Sequence, residues 1–119
     1  MSDQPSFNVP DVDLASLSTS EREQLLQTEF LKQTAKMPWR EMQTYYARGS
    51  VIVVSAELDL IEVAVQLGLD NSAQFAAWIE QGFIAPATDE QALVWYDNDQ
   101  LLWVTVAAPW VLVQHKNLA

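Results

Sequence analysis

Asp59 and Glu62 stand three residues apart in an apolar segment, with Glu57 just ahead of them. If that segment is helical, the spacing puts both carboxylates on one face, where a hard cation would find oxygen ligands. Neither a histidine, an Asp-rich loop nor a second Glu-x-x-His segment accompanies them. A solvated stripe of Asp59, Glu62 and Gln66 on an otherwise buried helix accounts for them more simply, so they stand as weak metal candidates and no cofactor is expected. Other catalytic chemistry has little to draw on. His115 is the one histidine, there is no cysteine, and the three glycines each follow a helical segment rather than forming a phosphate loop. A pair of carboxylates for acid–base work can be assembled in many ways, none of them singled out. An enzyme is not the expected reading.

The aromatic residues offer a different chemistry. Trp39, Tyr46, Trp103 and Trp110 are of the types that anchor protein interfaces, and they also fill the cores of small domains. Trp103 and Trp110 lie in apolar runs that read as strands. If those strands form a sheet edge, edge pairing into a homodimer is the interaction with the best physical motive; an unknown protein partner in an aromatic groove is the other.

Charge restricts the partners. The chain of 119 residues carries 16 acidic and 6 basic side chains, a net charge of −10. Between Arg48 and Lys116 there is no lysine or arginine, while nine aspartates and glutamates and four of the five tryptophans fall there. A fold built from that stretch repels phosphate backbones and anionic lipid, so nucleic acid and membranes are disfavoured as partners. Apart from Lys116, the positive charge sits on Arg22, Lys32, Lys36, Arg40 and Arg48. No apolar run approaches the ~20 residues of a membrane helix, and no basic-then-apolar leader opens the chain, so a cytoplasmic protein is expected.

The elements that position these residues follow from pattern. Residues 1–19, with Pro5, Pro10 and scattered serines, read as a flexible N-terminal extension, residues 20–114 as one compact domain and residues 115–119 as a C-terminal tail. Ser18–Glu21 and Ser20–Glu23 both have capping-box spacing, predicting a helix to about Lys36. Pro38 interrupts, and a second helix is predicted from Trp39 to Arg48, ended by Gly49. Val51–Val54 reads as a buried strand. Ser55 is a candidate cap for a helix through Leu67, Asn71 or Ser72 for one through Gln81, and Thr88 with Gln91 for one through Tyr96. Phe83–Ile84 is a short extended piece; Leu101–Val106 and Trp110–Val113 are strands on either side of Ala107-Ala108-Pro109.

The expected fold is therefore α+β, about five helices with a small two- or three-stranded sheet, in a winged-helix-like order. A DNA-binding regulator is the function that order most invites. Its recognition helix would be Ser72–Gln81, which offers Gln74 and Gln81 but also Glu80, and its wing carries no charge.

Three pieces, Pro38–Gln43, Val51–Val54 with Leu58–Ala64, and Ala108–Gln114, resemble a family of small bacterial proteins classed as a domain of unknown function. The resemblance spans about residues 30–114. It implies one compact domain and brings no activity, cofactor or site residue with it. The leading expectation is an acidic interaction module that self-associates or binds a protein; the alternative is a small-molecule or metal-binding protein centred on Asp59 and Glu62.

Overall fold

The computed structural model describes residues 17–115. Most of the N-terminal extension and all but His115 of the expected tail lie outside that range. Among the described residues there are five α-helices and five strands: α1 (Thr19–Gln33), β1 (Ala35–Pro38), α2 (Gln43–Ala47), β2 (Val51–Val54), α3 (Leu60–Gly68), α4 (Ser72–Gln81), β3 (Ile84–Pro86), α5 (Asp89–Asp97), β4 (Leu101–Ala107) and β5 (Trp110–Gln114). A 3-10 turn, Trp39–Met42, precedes α2. No helix among the described residues is long and apolar enough to cross a membrane.

The class is α+β as expected, but the sheet is larger. All five strands join in the order β1-β4-β5-β2-β3. β2 and β5 run parallel, and every other neighbour is antiparallel. Two pieces account for the difference. Ala35–Pro38 is not the end of a helix: α1 stops at Gln33, and the residues before Pro38 extend and pair with Leu101–Val104, as the steric demand of proline on its predecessor favours. Ile84–Pro86 pairs with Ile52–Val54. The hairpin expected as a wing lies inside the sheet, with β5 as its central strand. The edges are instead β1 and β3.

Strand alternation divides the core between two faces. On the first, Ile52, Val54, Ile84, Ala107 and Leu112 pack with Phe30 of α1, with Leu60, Val63 and Ala64 of α3, and with Trp78 of α4. On the second, Val51, Leu102, Val104, Val111 and Val113 pack with Trp39, Met42, and Ala92 and Trp95 of α5. The sheet is thus the middle of three layers. Local signals set most helix ends. Ser18 and Glu21 form a complete capping box; the backbone bond from Ser18 to the Glu21 carboxylate lowers its pKa. Asn71 caps α4, and Gly82 in left-handed geometry (φ 81°) closes it. Asp59, not Ser55, caps α3 through a bond from the Ile61 N–H. Ser55 instead organises a turn, its hydroxyl accepting from Glu57 N–H.

Candidate functional site

Helix α5 is fastened at both ends. Its N-terminus carries the Thr88–Gln91 capping box, and the Tyr46 hydroxyl of α2 donates to the Asp89 carboxylate. At its C-terminus Arg40 Nε donates to the Tyr96 carbonyl at 2.9 Å; the guanidinium lies 4.9 Å from the Tyr96 ring centre and 3.8 Å from Asp99. Only Ala92 and Trp95 turn fully inward. Trp95 stands edge-on between Trp39, at 5.2 Å, and His115, at 6.4 Å. The helix is apolar on more than its inner stripe, so Leu93 and Val94 face solvent at 63% and 53% exposure.

Beside α5 the second face of the sheet is incompletely covered. An open cleft of about 440 Å³ lies there, lined by Val53–Ala56 at the end of β2, by Glu90, Gln91, Val94 and Trp95 of α5, and by His115. A second depression of about 240 Å³ shares Val53, Ser55 and Gln91 with it and continues to Ala85 and Pro86 on the free edge of β3. The trough is largely apolar, rimmed by Glu90. Its far wall is held from beneath: the buried Gln114 amide donates to the carbonyls of Ser55 and Leu58 at 2.8 and 2.7 Å, tying β5 to the β2–α3 loop. Ser55, His115 and Glu90 line one cleft, yet no hydrogen bond joins any two of them, and the Ser55 hydroxyl is engaged by Glu57 N–H. The nucleophile–base contact that covalent catalysis requires is not formed.

On the first face, a pocket of about 280 Å³ lies where the last turn of α1 meets the first turn of α3, lined by Leu31, Thr34, Asp59, Leu60, Ile61, Trp103 and Gln114.

The residues singled out in the sequence do not form one site. Trp39 is fully buried (0% exposed) at the centre of the second core, so it is a packing residue rather than an exposed anchor. Tyr46 is half-buried against that core, and its hydrogen bond to Asp89 raises its pKa. Trp103 and Trp110 are half-buried against the first core, and their strands are interior rather than edge strands, a correction to the edge-pairing expectation. Trp110 borders a shallow depression with Leu67 and Phe75 at the start of α4. Asp59 lines the first-face pocket, but Glu62 is turned to Gln66 Nε2 at 2.8 Å. No group of three or more His, Asp or Glu side chains able to hold a metal forms among the described residues.

Sequence reasoning missed His115, assigned to a tail, and Gln114. The alternation Val111, Val113, His115 carried the signal, since it places the imidazole on the same face as the two buried valines.

The family described as Protein of unknown function (DUF2288) matches residues 25–115. The chain is also similar to the solution structure of PA1075 from Pseudomonas aeruginosa. The two are 31% identical, the match covers 95% of this chain and 94% of that one, and the TM-score is 0.69. No curated protein matches.

Proposed function

The chain belongs to the DUF2288 family of proteins of unknown function, and we propose from its own geometry that it is a small acidic interaction module. Its occupant is a segment of a partner protein carrying lysine or arginine beside apolar side chains, seated in the trough next to α5. The observation that supports this is the coincidence of uncovered apolar surface and, among the described residues, one-signed charge. Val53, Val94 and Leu93 are left partly or wholly open, Glu90 lines the cleft, and Asp89 and Glu57 stand within two residues of its walls. Between Arg48 and Lys116 the sequence supplies no lysine or arginine to offset them; Lys116, next to His115 of the cleft wall, lies outside the described residues. Arg40 is held on Tyr96 and Asp99, at the other end of the helix. Apolar contact supplies affinity in such a surface, and charge selects the partner and speeds the encounter.

The open shape favours a peptide over a small molecule, because small-molecule sites enclose most of their ligand. A second copy fits less well. A two-fold interface through α5 sets Asp89, Glu90 and Asp97 against themselves. Pairing through a sheet edge meets β1 or β3, which are four and three residues long and each end in proline; short strands and proline are devices that block edge pairing. The same lack of positive charge weighs against nucleic acid. The setting that goes with this reading is the cytoplasm.

The test is binding of short fluorescent peptides that alternate lysine with leucine, with glutamate–leucine counterparts as control. The lysine series is expected to bind and to weaken with salt, and Val94→Asp is expected to abolish binding without lowering the melting temperature. Equal binding of both series, or binding indifferent to Val94→Asp, contradicts the proposal.

A further inference from the structure

We infer that the 280 Å³ pocket on the first face binds a small organic cation, a primary ammonium or guanidinium on a short apolar body. The site is separate from the trough, on the other side of the sheet.

Apart from the Trp103 indole, the polar side chains at this pocket offer acceptors. Gln114 is only 3% exposed, and its two amide bonds to the Ser55 and Leu58 carbonyls fix which end is nitrogen. No described residue donates a hydrogen bond to its Oε1, and the residue lines the pocket. Asp59 Oδ1 accepts from Ile61 N–H at 2.9 Å, and no described residue donates to the second carboxylate oxygen. The Thr34 hydroxyl spends its single hydrogen on the Phe30 carbonyl, so it too can only accept. The Gln114 amide oxygen is therefore open to a ligand bearing N–H groups.

The remaining wall supports a positive charge on an apolar stem. Trp103 lines the pocket, and its ring already attracts a cation: Lys36, its cross-strand partner, holds its ammonium 5.2 Å from the ring centre. Leu31, Leu60 and Ile61 provide aliphatic surface for the stem. A carboxylate or phosphate would face the Asp59 carboxylate, like charge against like charge. A bare metal ion would meet too few oxygens and too much hydrocarbon.

The experiment is a titration of the isotope-labelled protein with n-butylammonium, using butyrate, 1-butanol and Mg²⁺ as separate controls, followed by NMR. Expected are saturable shifts of the Trp103 indole and the Gln114 side-chain amide with butylammonium alone. Asp59→Asn is the informative variant, because asparagine caps a helix as well as aspartate and the fold is preserved. It should weaken binding by about tenfold or more, the size of a charge-assisted hydrogen bond. Lys36→Met should tighten binding by removing the resident ammonium. The inference is overturned by an absence of saturable shifts, by equal response to butanol or butyrate, or by an Asp59→Asn protein that binds as the wild type does.

Discussion

Substituting Gln114 with leucine removes the one side chain that ties β5 to the loop carrying both candidate sites. The Ser55 carbonyl would keep a partner, since the Leu58 N–H also donates to it at 3.1 Å. The Leu58 carbonyl would not: it lies ahead of α3, and among the described residues its only donor is Gln114. A lost net hydrogen bond is worth about 1 kcal/mol and an orphaned buried carbonyl about 1–3 kcal/mol. The loop is only part-buried, so water recovers some of this, and the expected loss is about 2 kcal/mol. Urea unfolding measures it, and hydrogen exchange should show the loss of protection concentrated in residues 55–60. A Gln114→Glu variant sharpens the test. Its carboxylate would face two carbonyls, and only the protonated form can donate to one. Its folded pKa should therefore lie above the ordinary glutamate value of about 4.3. A raised folded pKa gives stability that is full below the unfolded pKa and lost as pH rises through the folded one. Gln114→Glu should thus be the more stable of the two variants in acid and the less stable at neutral pH. A leucine variant within about 0.5 kcal/mol of wild type, the range of an uninvolved surface change, would refute the reasoning, as would no crossing of the two variants with pH.

Three further outcomes are expected. Gly82→Ala should cost about 1 kcal/mol in urea unfolding, a backbone effect alone, because φ is +81° and no atom lies within 4 Å of the added Cβ. Gly68→Val should cost about 1–3 kcal/mol by overpacking, since even a single Cβ there would stand 3.0 Å from Leu26 Cδ1 and 3.5 Å from Phe30 Cε2. The Tyr46 hydroxyl, held by the Asp89 carboxylate, should ionise above the ordinary tyrosine value near 10 in an ultraviolet titration. Its contribution to stability is full below that ordinary value and is lost as pH rises through the folded pKa, and Asp89→Asn should return the ionisation to the ordinary range.

What could be read in advance was local. The β-branched run Val51–Val54 and the apolar runs at Leu101 and Trp110 are strands because their patterns allow little else. Three caps, at Ser18, Asn71 and Thr88, were visible in side-chain type and spacing. What was hidden was non-local. Ala35-Lys36-Met37 has no strand signature and continues a helical pattern; it becomes β1 because Pro38 ends helical geometry and β4 offers an open edge. No local feature could say that the tryptophan-bearing strands lie inside the sheet, since strand order is a property of the whole chain. Ser55 and Asp59 are both good caps, and only the turn between them decides which one works. The trough was hidden for a related reason. Leu93, Val94, Trp95 and Tyr96 are four large non-polar residues in a row, so periodicity cannot choose which faces inward; Arg40 and Tyr46, distant in sequence, fix the helix rotation. The lack of positive charge was legible throughout, and its consequence sharpened once the uncovered surface was seen to lie within that stretch.

The most direct test of the interaction reading maps where a lysine–leucine peptide lands on the isotope-labelled protein. The account predicts saturable amide shifts confined to Val53, Ser55, Gln91, Val94, Trp95 and His115, with the neighbours of Trp110 and the outer face of α4 unchanged. Shifts centred on the β1 or β3 edge, on α4, or spread over the surface without saturation would contradict it.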